Sequence, residues 1–291
     1  MNIYATVTDR VLAQLKAGVV PWRRTWTTGL PKSMTTGKEY RGINILLLST
    51  SPHSSRYWTT YREAQRLGGF VRKGERATPV VYWKWRTEED FQKLKEKTGN
   101  EGFSPCVPFF SAVFNLDQVE GLPRPDDDAR AETRNPLEVA GNVFDVMPDK
   151  PEIEHSATHH PAYFPALDRV TLPHLSQFES AAQYYAALFH ELVHSTGHAK
   201  RLNRFADAET DCVKKYSFEE LVAEFGAAFL CGFAGIENPD TDALQASYIE
   251  AWARVFQEDN RILLRASSAA QRAVDYVRGK VLTHEETAVA A

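Results

Sequence analysis

Residues 190–198 read HELVHSTGH, and this stretch decides how the second half of the chain is interpreted. His190 and His194 are four residues apart, so a helix would place both imidazoles on one face. Glu191 lies beside them. In metallopeptidases two histidines at this spacing bind zinc and the adjacent carboxylate acts on the water that the zinc activates, although a polar strip on a surface helix has the same spacing. The stretch therefore predicts a metal site with His190 and His194 as ligands and Glu191 as the catalytic base.

The residues before this motif favour a helix. Residues 181–194, AAQYYAALFHELVH, contain no glycine or proline and carry an apolar stripe at helical spacing. Gly197 is a stop signal just past the last periodic residue. His198 follows that glycine, so we do not expect it to be the third ligand.

A second acidic helix is predicted downstream, where residues 217–230 read SFEELVAEFGAAFL. Zinc in a hydrolytic site takes three protein ligands and leaves one position for water. Glu220 and Glu224 are four residues apart and share one face of this helix. Ser217 and Glu220 also fit a capping box, and in that case Glu224 would be the ligand. Both glutamates therefore stay candidates on spacing alone.

Composition indicates a two-domain protein without a membrane segment. The chain has 291 residues, of which 43% are hydrophobic, and no run of about twenty apolar residues that a membrane helix needs. Its first 18 residues carry charges throughout and contain no signal-peptide core. Three separated cysteines, Cys106, Cys212 and Cys231, form no CxxC pair, which is typical of reduced thiols. We therefore expect a cytoplasmic protein.

Charge is distributed unevenly along the chain. Residues 1–86 carry 15 Lys and Arg against 4 Asp and Glu, a net charge of +11. The remaining 205 residues carry 19 basic and 34 acidic side chains, a net charge of −15. Such a split suggests two modules that face different partners.

The sequence pattern predicts mixed helices and short strands in the first half. We expect helices at 4–17 and 57–67, a strand or helix at 43–48, and strands at 70–72, 78–85 and 108–115. The charged residues 88–102 are predicted to form a mobile segment between two strands. Residues 121–136 hold three prolines and an acidic run, so residues 121–135 are predicted to be a linker by composition.

The second half predicts a helix at 137–147, a strand at 163–172, the two helices above, and one or two amphipathic helices within 242–280. The fold class is α+β. The expected domains are 1–120, a mixed α/β domain, and 136–282, with residues 283–291 as a disordered tail.

Aromatic residues accompany the positive charge of the first half, where five of the six tryptophans lie. Bases of a single strand stack on aromatic faces while Lys and Arg contact the phosphates. The pattern therefore predicts single-stranded DNA binding, although a buried core position is the alternative for any one tryptophan. The candidate contacts are Trp22, Arg23, Arg24, Trp26, Lys38, Tyr40, Arg41, Asn44 and Trp58.

Motifs along nearly the whole chain resemble the ArdC antirestriction proteins of conjugative plasmids and other mobile elements. The resemblance rests on Pro21–Trp22 with Trp26, residues 36–44 (TGKEYRGIN), 113–118 (VFNLDQ) and 163–173, HELVHSTGH, and residues 220–227 (ELVAEFGA). It implies an N-terminal single-strand DNA-binding domain joined to a zincin-like metallopeptidase domain. It also implies that the protein shields unmodified incoming DNA from restriction enzymes.

The resemblance bears on the third ligand as well. In glutamate-type zincins the first acid of this helix binds the metal and the second supports it, which favours Glu220 as ligand and Glu224 as support. This chain has Glu224 where those proteins have aspartate, and the longer arm is itself able to reach a metal. Zn²⁺ is the expected ion, with Mn²⁺ or another divalent ion as alternative.

The sequence is compatible with three hypotheses about function. In the first hypothesis, the peptidase cleaves a restriction enzyme or another protein on or near single-stranded DNA. In the second, the metal site is structural or silent, and coating of the incoming strand protects it. In the third, the chain is a SprT-like protease that clears proteins crosslinked to DNA. Residues 163–172 are expected to pair with a peptide substrate. His198, Tyr216 and Tyr248 are candidate oxyanion donors. A second metal at His155, His159 and His160 is less expected than a solvated loop.

Overall fold

The computed structural model describes residues 2–23, 29–99, 106–125, 135–206, 212–236 and 246–280. The helices are α1 (Ile3–Lys16), α2 (Ile43–Ser49), α3 (Tyr61–Arg66), α4 (Glu88–Thr98), α5 (Pro136–Asp145), α6 (Ala181–Ser195), α7 (Cys212–Ala234), α8 (Ala246–Glu258) and α9 (Ile262–Val277). The strands are β1 (Lys32–Ser33), β2 (Tyr57–Thr59), β3 (Phe70–Val71), β4 (Thr78–Trp85), β5 (Cys106–Asn115), β6 (Val119–Glu120), β7 (Glu152–His155), β8 (Ala162–Phe164) and β9 (Arg169–Leu172). The α+β class is confirmed.

The first half is organised around a four-stranded sheet with the order β1-β2-β5-β4. Its largest part is the antiparallel β4–β5 ribbon, in which eight residue pairs run from Thr78 opposite Val113 to Trp85 opposite Cys106. Strands β3 and β6 form a separate small pair. The predicted strands at 70–72, 78–85 and 108–115 are confirmed, and residues 43–48 are helical.

Two predictions for the first half are wrong in part. Residues 57–59 form strand β2 instead of the start of a helix, because Tyr57 and Trp58 are buried in the sheet and Thr60 caps α3 by accepting from the Glu63 amide. The segment predicted to be mobile is helical over Glu88–Thr98. A capping box between Thr87 and Asp90 begins this helix.

The second half places a three-stranded sheet, with the order β7-β9-β8, beside the long helices α6 and α7. Residues 163–172, predicted as one strand, form two: β8 and β9 pair antiparallel around a turn at 165–168. Asp168, with φ of +49°, adopts the left-handed conformation in which the chain reverses. Strand β8 is therefore an edge strand among those described.

One hydrophobic core joins the two halves of the chain. It contains Val7 and Val11 of α1, Trp22 and residues of α2 together with residues of α6, α7 and α9. The predicted limits at 120 and 136 therefore do not separate two independent cores. Most of the predicted linker (126–134) and the predicted tail (283–291) lie outside the described residues.

Helices α6 and α7 cross closely at Gly226. A Cβ atom at this position would lie 2.6 Å from a methyl carbon of Val193. The absence of a side chain therefore permits the approach of α7 to the histidine-bearing helix. Arg204 reinforces the crossing because it pairs with Glu219 of α7 at 3.1 Å and donates to the Val193 carbonyl and the Thr196 hydroxyl of the α6 end.

Among the described helices, none combines the length and apolar character required to cross a bilayer.

Candidate metal centre

The side chains of His190, His194 and Glu220 converge between α6 and α7. The Nε2 atoms of the two histidines are 3.1 Å apart. Glu220 places Oε1 3.5 Å from His194 Nε2 and Oε2 3.7 Å from His190 Nε2. Ligand atoms about 2.0–2.1 Å from a tetrahedral zinc lie about 3.3 Å from each other. The donor set therefore has the spacing and the chemistry of a three-ligand metal site.

Among the described residues, these three side chains form the one group of His, Cys, Asp and Glu with metal-binding spacing. Helix α7 begins at Cys212, which places Ser217 inside the helix and not at its start. The capping-box alternative for Glu220 is therefore wrong, since a cap requires a residue at the helix terminus. Glu220 is instead directed at the histidines.

The protonation states of His194 and Glu220 suit metal binding, whereas a bound cation would have to displace the proton that the carboxylates favour on His190. Burial, together with neighbouring His190, lowers the pKa of His194 to about 3, so this imidazole is neutral. Burial also disfavours a charge on His190, but its hydrogen bond to Glu220 and the surrounding carboxylates outweigh burial and raise its pKa. Although burial opposes it, the two histidines lower the pKa of Glu220, which is therefore ionised. Neutral imidazole and ionised carboxylate are the ligand forms.

Glu191 lies in the same cleft with a distinct environment. Its side chain is buried, and burial raises its pKa although His190 acts in the opposite direction. The carboxylate is hydrogen-bonded to the backbone of Tyr163 in β8. A positioned carboxylate with a raised pKa is suited to accepting and returning a proton near neutral pH. Glu191 therefore lines the same cleft as the two histidines, with its carboxylate held against β8.

The cleft at these residues has a volume of about 610 Å³. Edge strand β8 forms one wall through Ala162 and Tyr163, and Phe205 and Tyr216 also line it. Tyr163 stacks on Phe205 with ring centroids 6.4 Å apart. The Tyr216 hydroxyl is hydrogen-bonded to Glu220. The cleft therefore combines a strand that lies at the sheet edge among the described residues with an adjacent carboxylate.

The structure separates the three candidate oxyanion donors. Tyr216 lines the cleft, whereas His198 and Tyr248 are not among the lining residues. The His198 ring accepts a hydrogen bond from the Lys200 amide. The Tyr248 hydroxyl accepts one from the Trp22 indole at 3.3 Å. Tyr216 is the candidate that the fold brings to the site.

Glu224 of α7 is engaged by the first half of the chain. Arg23 forms an ion pair with it at 2.8 Å. Trp22, the preceding residue, packs edge-on against Phe225 and Phe256 with ring centroids 5.2 and 6.0 Å away. The docking turn, Pro21–Arg23, therefore contacts α7 one helical turn beyond Glu220.

The aromatic candidates for DNA binding that the structure describes are buried. Trp22 is 1% exposed and Trp58 0%, and Tyr40 is also buried. The prediction that bases stack on these three rings is therefore wrong, because the rings pack in the core. The local sequence does not distinguish the two cases, because a core tryptophan and a base-stacking tryptophan are both found next to basic residues.

The polar candidates are mostly engaged within the fold. Arg41 forms an ion pair with the buried Asp275 of α9. Asn44 both donates to and accepts from the backbone of Val81. Lys38 is exposed. Arg24 and Trp26 lie outside the described residues.

The histidine cluster at 155–160 does not gather into a metal group among the described residues. His155 hydrogen-bonds the Tyr184 hydroxyl at 2.9 Å and stacks on His174 with centroids 5.9 Å apart. The sequence gave no sign of His174 or Tyr184 as partners, because they are 19 and 29 residues away.

Comparison with protein families divides the chain as the two halves suggest. Residues 1–113 match the N-terminal domain of the anti-restriction factor ArdC, and residues 146–269 match a zincin-like metallopeptidase family. Among solved structures, the metal-free crystal structure of the antirestriction protein ArdC from plasmid R388 superimposes with a TM-score of 0.75. It is 34% identical to this chain and covers 96% of this chain and 97% of that one.

The chain belongs to the ArdC antirestriction family. A Mn(II)-bound structure of R388 ArdC matches with a TM-score of 0.73 and 33% identity, with the same coverage. Protein y4eC of Sinorhizobium fredii (strain NBRC 101917 / NGR234) is 31% identical over 96% of this chain and 92% of its own length.

The family module also occurs in much longer proteins. A DNA primase TraC of Escherichia coli is 36% identical over 94% of this chain, and a second TraC is 35% identical over 93%. The chain covers 20% and 26% of these two primases. It therefore spans about a fifth to a quarter of their length.

Proposed function

We propose that this ArdC family member protects incoming DNA from restriction, and that a divalent-metal peptidase centre performs the protective step. The observation that carries the proposal is the donor set of His190, His194 and Glu220 beside the buried Glu191. A structural metal site closes all four positions with protein ligands, whereas three ligands leave room for water. The cleft and the catalytic carboxylate favour hydrolysis over a silent site.

Zn²⁺ is the proposed metal, with Mn²⁺ as the alternative. Two imidazoles and one carboxylate are ligands that zinc accepts in peptidases, and manganese shares the carboxylate preference. The existence of a Mn(II)-bound structure of R388 ArdC is consistent with a divalent ion in this family. When bound, such an ion lowers the pKa of its water and polarises a carbonyl oxygen.

Glu191, strand β8 and Tyr216 each have one role in the proposed hydrolysis of a peptide bond. Glu191, held by the Tyr163 backbone, accepts a proton from the attacking water and returns it to the leaving amine. The open edge of β8 aligns the peptide backbone by strand addition. Tyr216, which lines the cleft, donates to the oxygen of the substrate carbonyl as negative charge develops there.

We further propose that the substrate is a protein on or near single-stranded DNA, such as a restriction enzyme, and that the first half binds that DNA. The net charge of +11 over residues 1–86 favours a polyanion. The family match of residues 1–113 and the two DNA primases that contain a related region are consistent with a protein working on DNA.

The decisive experiment compares wild type with Glu191→Gln for protection of unmodified plasmid DNA transferred into a restricting host, at equal protein levels. We expect the variant to lose protection, because glutamine is unable to accept the proton. Glu179→Gln, an exposed position ahead of α6, is the matched control and should protect fully. Full protection by Glu191→Gln would mean that DNA coating, and not hydrolysis, is the function.

A further inference from the structure

An exposed pair of stacked aromatic rings lies on the β4–β5 ribbon. Tyr82 and Phe109 are directly opposite each other in the ladder. Their ring centroids are 6.0 Å apart with an interplanar angle of 26°. Tyr82 is 41% exposed and Phe109 46%. The other aromatic side chains of this sheet whose burial is described are buried or partly buried, so two exposed rings side by side stand out.

The exposure follows from how the sheet face is covered. Side chains alternate along β4, so Val80 and Tyr82 share a face, as do Phe109 and Val113 on β5. At the inner end, Val80 and Val113 are buried in a cluster completed by Tyr40, Leu48 and Trp58. This buried cluster does not include the next pair on the same face, Tyr82 and Phe109. The outer part of the face, beginning at Tyr82 and Phe109, is therefore only partly covered by the residues that the structure describes.

The aromatic pair is held in place and lies beside a positive charge. The Tyr82 hydroxyl is hydrogen-bonded to that of the buried Tyr40, which fixes one ring against the fold. Lys84 is exposed and lies two residues along the same face. Asp90 lies near enough to interact with Lys84 and offsets part of its charge. The rings should therefore supply more of the affinity than the lysine.

We propose that Tyr82 and Phe109, together with Lys84, form the surface on which unpaired bases of single-stranded DNA stack. The inference rests on the proposed DNA binding of the first half and locates it at residues other than the buried Trp22 and Trp58. Every base has a π face that stacks on an aromatic ring, and a neighbouring ammonium contacts the phosphate between bases. Two adjacent rings provide consecutive stacking positions along one strand.

The test is fluorescence anisotropy of a labelled oligothymidine with full-length protein at fixed salt. Tyr82→Thr/Phe109→Thr removes both rings but keeps residues that favour strands. We expect affinity to fall on the order of tenfold or more per ring. Tyr82→Phe/Phe109→Tyr retains both rings and should bind within about threefold of wild type.

A matched control separates this surface from a general effect of aromatic residues. Tyr61 and Phe70, exposed by 50% and 55%, lie elsewhere in the same half of the chain. The double variant Tyr61→Thr/Phe70→Thr should bind as wild type does. Equal losses in both threonine variants would overturn the assignment, as would wild-type affinity in Tyr82→Thr/Phe109→Thr.

Two further readouts keep the result interpretable. A urea unfolding curve for each variant shows whether loss of the cross-strand pair has unfolded the ribbon. If it has, the binding affinity of the folded Tyr82→Phe/Phe109→Tyr variant, which retains both rings, is the measurement that tests the surface. If wild type itself fails to bind the oligonucleotide, the proposed DNA binding fails together with this surface. If wild type binds and the ring-free variant binds equally, only the surface is wrong.

Discussion

Arg23 and Glu224 join the two halves of the molecule through an ion pair of 2.8 Å. Their side chains are only 16% and 12% exposed, so the pair is shielded from solvent. Glu224 lies one turn beyond Glu220, and its charge acts on His190. The first half of the chain therefore contacts the helix that supplies the third proposed metal ligand.

A double-mutant cycle should detect this contact. We expect Arg23→Ala and Glu224→Ala to be coupled by about 1–3 kcal/mol in the free energy of unfolding, since removal of either leaves the other charge poorly solvated. Urea unfolding of wild type, both single variants and the double variant measures the coupling. Arg23→Lys should retain part of the stability. Additive single effects would contradict a direct interaction.

Trp22 should behave as a core residue. We expect Trp22→Ala to lower the free energy of unfolding by about 3–5 kcal/mol, because it leaves a cavity between α7 and α8. Trp22→Phe, which retains most of the buried surface, should bind single-stranded DNA with wild-type affinity. Unfolding curves and oligonucleotide anisotropy on the same samples check both statements. Weaker binding by a fully folded Trp22→Phe would return this ring to the DNA-binding surface.

Gly226→Ala should disturb the metal centre from a distance. The added methyl group would meet Val193 at 2.6 Å, which forces α6 and α7 apart. We expect a loss of about 1–3 kcal/mol in the free energy of unfolding. Because Glu220 and the histidines lie on these two helices, zinc affinity should fall as well, as measured by competition with a chromophoric chelator.

Gly141→Ala is the control for this substitution. Among the described residues its added methyl group would meet only the Tyr185 hydroxyl at 3.3 Å, at the far end of a side chain and not at a helix crossing. It should leave zinc affinity unchanged. If Gly226→Ala also bound zinc normally, the close crossing would not be what positions Glu220.

Asp168 should make stability depend on pH in the acid range. Although burial opposes it, hydrogen bonds from Arg201, Tyr163 and Lys200 hold the pKa of Asp168 at about 2. An unfolded aspartate titrates near 3.9, so the native contacts stabilise the fold above about pH 4. This contribution is lost as the pH falls from about 4 toward 2, where the folded form also becomes protonated.

Urea unfolding across this range tests the expectation. The stability difference between wild type and Asp168→Asn should shrink as the pH falls from about 4 to 2. Asp145→Asn, an exposed site paired with Lys150 at 3.9 Å, should change little at any pH. A difference between wild type and Asp168→Asn that stayed constant from pH 5 to 2 would contradict the account.

The sequence predicted local elements better than contacts between distant residues. Helical spacing of apolar residues located α6, and strand alternation located β4. The helix at Glu88–Thr98 was missed because seven of its 11 residues are charged and none is buried, so no apolar stripe marks it. Its capping box at Thr87 and Asp90 was present in the sequence and is the signal that locates it.

The candidate metal centre was largely predictable because its chemistry is encoded within two helices. His190, Glu191 and His194 are fixed relative to each other by one turn of α6. The roles of Glu220 and Glu224 depend on how α7 packs, which spacing alone does not determine. The burial of Trp22 has the same origin, since Phe225 and Phe256 are more than 200 residues away in the chain.

The most direct test of the account is a zinc titration of metal-stripped, full-length protein by calorimetry, comparing wild type with Glu220→Ala and Glu224→Ala. We expect one equivalent of zinc to bind tightly to wild type. Binding should weaken on the order of a hundredfold or more in Glu220→Ala, which loses a ligand, and much less in Glu224→Ala. Unchanged zinc affinity in folded Glu220→Ala would contradict a metal centre formed by His190, His194 and Glu220.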